Sequence, residues 1–323
     1  MDNQEKRSFG KVLVTGAAGF AGHYLVRELL ENGHEAVCID AAPADSAAAA
    51  GLPGYERVDL TDAAAVDEAV ARTRPDAAIH LAAVSFIPDA ARDPGALWAV
   101  NINGTVNVVE AVLRHCPRCR FVFVSSAQVY GAVHRKDGDG PLGEDSPVLP
   151  LSLYSISKVA GEKFVEACAR ARGLDAVTVR PSNHTGPGQT PKFVAISFAR
   201  QILEASDGNS GRSMQVGNLD SVRDFSDVRD VVRAYRLAME RGRSGAVYNI
   251  SSGTVVTIGE LLERMFAIAG TRLTPVRDEA IWRPTDKCAA LDTSAIRRDT
   301  GWEPRIALED TLRDIFAALR AAR

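Results

Sequence analysis

A phenol and an ammonium group stand four residues apart in this sequence, as Tyr154 and Lys158. That spacing places both side chains on one face of a helix. A neighbouring cation stabilises a phenolate, so we expect the pKa of Tyr154 to fall from ~10 toward neutrality, where a phenol exchanges protons with a hydroxyl or a carbonyl. Such a pair on its own is more often a surface pair, so the hypothesis depends on its neighbours.

Two hydroxyls follow a predicted strand, as Ser125 and Ser126. They would lie at the carboxyl edge of a sheet, where a serine could hydrogen-bond a substrate oxygen while Tyr154 transfers the proton. The combination of hydroxyl, phenol and lysine is more specific than its parts. It indicates an enzyme that exchanges hydride between a nicotinamide and a carbonyl or alcohol carbon.

A glycine-rich turn separates the first predicted strand from a helix-period segment. Gly16, Gly19 and Gly22 would let the backbone approach a pyrophosphate, whose charge is held by free N–H groups at the helix start. The spacing is G-x-x-G-x-x-G rather than G-x-G-x-x-G, and a simple tight turn is the alternative. Gly16, Gly19, Phe20 and Ala21 are therefore predicted cofactor contacts.

Asp40 closes the second predicted strand, 24 residues after Gly16. A carboxylate there accepts hydrogen bonds from the adenosine ribose diol. It would also repel a phosphate on that ribose, and neither Ala41 nor Ala42 supplies a cation. NAD(H) is therefore favoured, NADP(H) is possible, and a turn or helix cap is the alternative role for Asp40.

The elements that must position these groups alternate between short strands and longer helices. The predicted strands are Lys11–Thr15, Ala36–Asp40, Tyr55–Val58, Ala77–Leu81, Arg120–Ser125 and Ala176–Arg180, and the main helices are Phe20–Glu31, Ala63–Arg72, Pro94–His115 and Tyr154–Ala171. This alternation predicts a parallel sheet covered on both faces, in a Rossmann-like doubly wound α/β fold.

The rhythm breaks after Arg180, at a stretch rich in Gly and Pro. We expect residues 1–180 to form the NAD(P)-binding domain, with residues 225–250 returning to it. Residues 181–323 are expected to be mainly a smaller α/β substrate-binding lobe over the carboxyl ends of the strands.

Composition excludes several functional classes for these 323 residues. The formal net charge is -3, so no global field attracts nucleic acid or an anionic membrane. We see no apolar run of ~18 residues and no secretory signal. Five cysteines, an odd number, argue against a disulfide scaffold and favour the cytoplasm. Cys116 and Cys119 lack partners at zinc spacing, so no metal site is expected.

These blocks together resemble the extended short-chain dehydrogenase/reductase family, the NAD-dependent epimerases, dehydratases and reductases of nucleotide sugars. The resemblance runs from Lys11 to about Pro304. It is carried by the glycine turn, Asp40, Asp59-Leu60, His80-Leu81-Ala82-Ala83, Asn101-Ile102-Asn103-Gly104-Thr105, the Ser-Ser-x-x-Val-Tyr-Gly block that starts at Ser125, Tyr154 with Lys158, and Arg180-Pro181.

The resemblance implies roles that spacing alone leaves open. The family's catalytic hydroxyl lies three positions before the Val of Val-Tyr-Gly, which makes it Ser126 rather than Ser125. Tyr154 and Lys158 complete the catalytic set and also contact the cofactor, with Lys158 holding the nicotinamide ribose. Further cofactor contacts would be Asp59, Leu60, Leu81, Ala82, Ala83, Asn101 and Pro181. A homodimer through a four-helix bundle of Pro94–His115 and Tyr154–Ala171 is also implied.

The second half supplies polar groups suited to a nucleotide sugar. Arg223 and Arg283 come from separate segments and could clamp a diphosphate through bidentate hydrogen bonds, while Asn183 could contact the sugar. Each arginine taken alone is more readily a surface charge. The substrate contacts implied at family positions are Ser85, Gln128, Asn183, Val194, Arg223, Arg283 and Asp286.

Gln128 stands where related dehydratases need a carboxylate base, two residues after the catalytic hydroxyl. An amide cannot remove that proton. The blocks Asn183–Gln189 and Val216–Tyr235 are similar to those of family members that act on GDP-sugars. We therefore expect reduction of the C4 ketone of a GDP-4-dehydro-6-deoxy-hexose, such as GDP-4-keto-6-deoxy-D-mannose, with NAD(P)H. A GDP-mannose 4,6-dehydratase, a nucleotide-sugar 4-epimerase and, more remotely, a non-catalytic NAD-sensing protein stay open.

Overall fold

Seven parallel strands form the main sheet in a computed structural model, which describes residues 7, 9–131, 140–206, 213–283 and 288–323. The chain's progress across the sheet reverses between β1 (Lys11–Thr15) and β4 (Ala77–His80), so their carboxyl ends frame a crevice of the kind that binds ligands. The predicted doubly wound α/β fold is confirmed. In spatial order the strands are β3 (Glu56–Arg57), β2 (Glu35–Asp40), β1 (Lys11–Thr15), β4 (Ala77–His80), β5 (Arg120–Val124), β6 (Asp175–Pro181) and β10 (Val247–Ile250).

Helices cover both faces of this sheet. One face packs against α1 (Phe20–Glu31) and α8 (Val228–Arg241), and the other against α2 (Ala63–Thr73), α5 (Gly104–His115) and α6 (Leu153–Arg172). Strand β5 contributes to the apolar cores on both faces of the sheet. Val122 and Val124 pack in the core with α1 and α8, and Phe121 and Phe123 pack in the core with α2, α5 and α6. Burial on two sides explains why these strands are continuous apolar runs.

The predicted helix Pro94–His115 is divided by a π-helical turn. A short helix α3 (Ile87–Arg92) precedes α4 (Pro94–Trp98), the π-turn Ala99–Asn103 follows, and α5 completes the run. The Asn101 side chain accepts a hydrogen bond from Val84 N at 2.8 Å and donates to Ser157 Oγ at 2.9 Å. These bonds tie the turn to α6, and turns of this type are frequent at functional sites.

Residues 94–115 also have the length and apolar composition that could cross a membrane, with a mean hydropathy of 1.2 over the most apolar window. The sequence analysis missed this run because asparagines interrupt it. In the structure the run packs against α2 and α6 as a core helix.

The remaining elements build a smaller α/β lobe. Strands β7 (Asn183–Thr185), β9 (Val222–Asp227) and β11 (Val255–Thr257) form one sheet, and β8 (Ser213–Val216) pairs with β12 (Thr274–Arg277). Helices α7 (Val194–Ser206), α9 (Ile258–Ala269) and α11 (Leu308–Ala321) share its apolar core, while α10 (Ser294–Thr300) packs on α8.

A buried carboxylate joins the lobe to the main sheet. Asp224 of β9 accepts a hydrogen bond from Ser182 Oγ, just after β6, at 3.0 Å. It also accepts bonds from the Ser251 hydroxyl and from Ser252 N at 3.1 Å, just after β10. A buried charge needs several donors, and here these donors fix β9 against two strand ends.

Candidate active site

A cavity of about 510 Å³ opens along the carboxyl ends of the main strands. Its size falls within the range of small-molecule sites. The structure brings most of the predicted site residues together in its wall: Gly16, Gly19, Phe20, Ala21, Asp40, Asp59, Leu60, Leu81, Ala82, Ala83, Ser85, Ser126, Gln128, Tyr154, Lys158, Pro181 and Asn183.

Two other predicted contacts lie behind this wall rather than in it. Asn101 is buried, and its side chain is bonded to Val84 and Ser157. Val194 begins α7 and packs against the core of the smaller lobe. Both can shape the cavity only through their neighbours.

The two arginines predicted to clamp a diphosphate are also outside the described wall. Arg223 lies on β9 and donates from Nη1 to Val222 O at 2.8 Å. Arg283 is exposed and donates from Nη1 to Ala280 O at 3.1 Å. Asp286 lies outside the described residues. The clamp therefore stays a prediction.

The glycine turn fits a pyrophosphate. Gly16 has φ +74°, and a Cβ there would lie 2.8 Å from Ala82 N. A Cβ at Gly22 would lie 2.3 Å from Gly16 O, so the turn and α1 are packed as closely as backbones allow. Gly19 gives α1 no side-chain cap, and within the described ranges no acceptor is bonded to Phe20 N or Ala21 N. An uncapped helix start facing a cavity is the arrangement that binds an anion.

The carboxylate of Asp40 is fixed at the cavity wall by two backbone donors, Ala18 N at 3.2 Å and Ala42 N at 3.0 Å. Strand register places Arg57 of β3 directly beside Asp40, and Arg57 Nε donates to Ala41 O at 3.2 Å. The sequence analysis found no cation here because Arg57 is 17 residues away in the chain. We therefore expect a 2′-phosphate at Asp40 to lie close to a guanidinium as well, although Arg57 is not part of the described wall.

The catalytic candidates come from β5 and the start of α6. A reciprocal capping box between Ser152 and Ser155 starts α6, which turns Tyr154 and Lys158 inward. Tyr154 is 7% exposed and Lys158 4%. The Lys158 ammonium donates to Val124 O at 2.8 Å and lies 6.0 Å from the centre of the Tyr154 ring.

The expected fall in the pKa of Tyr154 is wrong for this state of the protein. Burial raises the pKa of Tyr154 to about 12, and a hydrogen bond with Ser126 opposes the rise. Burial also lowers the pKa of Lys158 to about 8, with Glu162 opposing. Desolvation outweighs the cation because Lys158 is bonded to a backbone carbonyl instead of the phenol. A protonated phenol at neutral pH is a proton donor.

Three further residues line the cavity: the sequence left His184 open as a pocket donor or a turn residue, indicated Ser125 as a hydroxyl at the sheet edge, and gave no sign of Tyr235. His184 stacks on Phe20 with ring centres 6.3 Å apart, and burial lowers its pKa. Tyr235 reaches the cavity from α8, on the other face of the sheet. Ser125 Oγ is buried at the wall and has no partner among the described residues. Only the packing of α8 and β7 on the sheet brings His184 and Tyr235 here.

The sequence matches the model of the NAD dependent epimerase/dehydratase family over residues 12–251. It is 34% identical to GDP-6-deoxy-D-mannose reductase of Pseudomonas aeruginosa over 308 residues, 95% of this chain and 96% of that protein. It is 33% identical to dTDP-glucose 4,6-dehydratase of Streptomyces griseus over 312 residues, 93% of this chain and 91% of that protein.

Solved structures agree over nearly the whole chain. The structure of RMD from Pseudomonas aeruginosa complexed with NADPH has a TM-score of 0.85 at 31% identity, covering 97% of this chain and 100% of that one. The structure of UDP-glucose 4-epimerase with UDP-glucose from Thermotoga maritima has a TM-score of 0.87 at 29% identity, covering 97% of this chain and 99% of that one.

The fold and the cavity define an NAD(P)-dependent enzyme of the extended short-chain dehydrogenase/reductase class, whose members modify sugars. The chain belongs to the NAD dependent epimerase/dehydratase family.

The buried lysine predicts a pH dependence of stability. The pKa of Lys158, about 8, lies below its usual 10.5, so between these values the folded protein releases a proton that the unfolded chain keeps. The contribution of Lys158 to the free energy of unfolding therefore rises with pH. We expect the unfolding free energy of the unsubstituted protein, minus that of Lys158→Met, to increase by about 2 kcal/mol from pH 7 to pH 10 in urea titrations.

Lys163→Met is the matched control, because Lys163 is exposed on the same helix and should give no such trend. A difference for Lys158→Met that stays flat or falls over this range would contradict the assignment.

Asp40 and Arg57 lie where we expect the adenosine ribose, and their charges predict how substitutions change the preference between NADH and NADPH. Asp40→Ser removes the charge that repels a 2′-phosphate, and we expect the ratio of NADPH to NADH affinity, measured by fluorescence titration, to rise roughly tenfold. Arg57→Gln should move the ratio the other way. Asp59→Asn is the control that should affect both cofactors equally. Unchanged ratios in both Asp40→Ser and Arg57→Gln would refute these roles.

Proposed function

We propose that the protein reduces the C4 ketone of a GDP-4-keto-6-deoxy-hexose, such as GDP-4-keto-6-deoxy-D-mannose, with NAD(P)H. The observation that carries this proposal is Gln128, which lines the same cavity as Ser126 and Tyr154 and whose backbone N donates to Ser126 Oγ at 3.2 Å. The carboxylates in the described wall are Asp40, which ends β2, and Asp59, two residues after β3; β1 and β4 separate these two strands from β5 in the sheet. Dehydration needs a base next to the ketone, and reduction does not.

The cofactor, when bound, supplies the hydride. Residues of the chain do the rest: the N–H groups at the start of α1 bind the pyrophosphate, and Asp40 binds the adenosine ribose. Ser126 orients the ketone oxygen, and Tyr154, protonated at neutral pH, donates the proton to it. Lys158 holds the nicotinamide ribose and adds positive charge near the oxygen that becomes negative in the transition state.

The GDP assignment is supported by the similarity to GDP-6-deoxy-D-mannose reductase. Other similar proteins are a dTDP-glucose 4,6-dehydratase and a UDP-glucose 4-epimerase. The nucleotide base of the substrate is therefore the property to test first. Calorimetry with GDP, dTDP and UDP should give the tightest binding for GDP. Tighter binding of dTDP or UDP would replace the proposed substrate while leaving the reaction type open.

Two other activities fit the same catalytic triad. A nucleotide-sugar 4-epimerase keeps NAD bound, so stoichiometric NAD in the purified protein would favour it. A 4,6-dehydratase would release water from a GDP-hexose without added cofactor, which Gln128 disfavours. A non-catalytic NAD sensor is the remote alternative, disfavoured by the intact Ser126, Tyr154 and Lys158.

We favour NAD(H) over NADP(H) because Asp40 stands at the ribose, while Arg57 keeps NADP(H) possible. The substrate contacts proposed at Ser85, Gln128 and Asn183 lie in the described wall. A cytoplasmic location is proposed because the five cysteines, an odd number, do not indicate a disulfide scaffold.

The proposed role of Tyr154 as general acid predicts how the loss of its phenol oxygen changes kcat. Tyr154→Phe should lower kcat for NAD(P)H oxidation with the keto-sugar about 10²–10⁴-fold, because general acid catalysis is lost. Cofactor affinity should stay within about twofold. Tyr24→Phe, which loses only the bond to Pro187 O, is the control. Unchanged turnover in Tyr154→Phe would sink the proposal and revive the sensor.

We also propose a homodimer through the α4–α5 run and α6. Trp98 and Ile156 are 37% and 39% exposed on these helices. Light scattering should give twice the mass of the chain, and Ile156→Glu should shift the protein toward monomer because a charge would be buried at the interface. Ile281→Glu, at an exposed residue of the smaller lobe, should leave the mass unchanged. A monomeric unsubstituted protein would refute the proposal.

A further inference from the structure

A buried chain of hydrogen bonds runs beneath the cavity through His80, the last residue of β4. His80 Nδ1 lies 2.8 Å from Thr15 Oγ1, and His80 Nε2 lies 2.9 Å from Thr105 Oγ1. All three residues are 0–1% exposed. The chain therefore spans β1, β4 and α5 without help from solvent.

The donor and the acceptor of each hydrogen bond can be assigned by starting from the Thr105 end of the chain of bonds. Thr105 Oγ1 donates to Asn101 O at 2.7 Å, so its proton is used and it accepts from His80 Nε2–H. His80 Nδ1 then accepts from the Thr15 hydroxyl. Thr15 Oγ1 in turn accepts from Ala82 N at 3.3 Å. One neutral tautomer of His80 satisfies every bond.

The surroundings keep the imidazole in that form. The ring stacks between Phe121 and Phe123, with centres 6.0 Å from each. Burial, and secondarily Lys158, lowers the pKa of His80 to about 3. Burial and the nearby Lys158 therefore both favour the neutral state, and the bond directions hold at neutral pH.

The two ends of the chain reach two different parts of the site. One end is Thr15 with Ala82: Thr15 precedes Gly16 of the phosphate turn, and Ala82 is in the cavity wall. The other end is Asn101, whose side chain donates to Ser157 Oγ at 2.9 Å; Ser157 Oγ then donates to Tyr154 O at 2.7 Å.

We propose that His80 is a positioning residue that holds the cofactor wall and Tyr154 in fixed relation through these two branches. Shifts of about 1 Å between reacting groups cost up to ~10²-fold in rate, so a rigid link between the halves of the site has a direct use. The turnover readout below rests on the proposed function; the binding and spectroscopic readouts do not.

Two substitutions separate the branches. In His80→Gln the amide nitrogen can replace Nε2 and still donate to Thr105, while the bond from Thr15 is lost. In His80→Asn the amide oxygen can replace Nδ1 and still accept from Thr15, while the bond to Thr105 is lost. We expect His80→Gln to weaken NADH binding roughly tenfold, with kcat within about twofold, and His80→Asn to lower kcat roughly tenfold, with NADH binding within about twofold.

Thr105→Val removes the acceptor of His80 Nε2–H, which cuts the Tyr154 branch while the imidazole itself is kept, and it should behave like His80→Asn. Its matched control is Thr300→Val. Thr300 is also buried on a helix, donates to the carbonyl four residues earlier, Ile296 O, and accepts one backbone bond, from Trp302 N. Thr300→Val should lose stability but keep NADH affinity and kcat.

A spectroscopic readout tests the link even if no keto-sugar is turned over. With ¹³Cζ-tyrosine labelling, the Tyr154 resonance, assigned with Tyr154→Phe, should move in His80→Asn and Thr105→Val and stay in place in His80→Gln and Thr300→Val. If the Tyr154 resonance shifts as expected but the keto-sugar is not turned over, the proposed substrate is wrong and the positioning role of His80 still holds. Equal losses in both histidine variants, or a Tyr154 signal that never moves, would overturn the inference.

Discussion

Burial of the parallel sheet on both faces is the constraint on which the site depends. Helices α1 and α8 on one side and α2, α5 and α6 on the other leave the strands no polar face. The candidate cofactor and catalytic groups therefore lie at the carboxyl edge, where the strands end and backbone donors become free. The glycine turn, Asp40, Ser126 and the start of α6 all lie there. The proposed binding of the cofactor pyrophosphate is compatible with a net charge of -3, because recognition at this edge is local.

The same burial sets the protonation of the proposed catalytic groups. It raises the pKa of Tyr154 and lowers that of Lys158, which keeps a proton on the phenol at neutral pH. A protonated phenol beside a hydroxyl is the form that ketone reduction uses, because the ketone oxygen gains a proton in that direction. Burial likewise holds His80 neutral, so one side chain can accept at one nitrogen and donate at the other.

Local patterns in the sequence were sufficient for the parts of the site that lie within one strand and the turn after it. The glycine turn, Asp40 and the pair Tyr154 and Lys158 are of this kind, and all lie in the cavity. Arg57 was missed because its place depends on the register of β3 against β2, which periodicity does not specify. Tyr235 was missed because it crosses from the opposite face of the sheet.

The π-turn in residues 99–103 could not be foreseen either, since its hydrogen bonds come from Val84 and Ser157, distant in the chain. The pKa of Tyr154 was misjudged for a related reason. A spacing of four indicates proximity to Lys158, but the carbonyl that engages the lysine belongs to β5, and the degree of burial is a property of the packed structure. Propensity and spacing describe neighbours along the chain, and tertiary packing decides the rest.

The central claim is that hydride passes from the cofactor to C4 of the sugar and stays there. The direct measurement incubates the protein with GDP-4-keto-6-deoxy-D-mannose and NADH or NADPH deuterated at C4 of the nicotinamide, on each face in turn, and follows the sugar by mass spectrometry and NMR. The account predicts one deuterium at C4 of a GDP-6-deoxy-hexose from one of the two labelled faces, with one cofactor oxidised per product. A C4 epimer formed without net cofactor oxidation, or no labelled product at all, would contradict it.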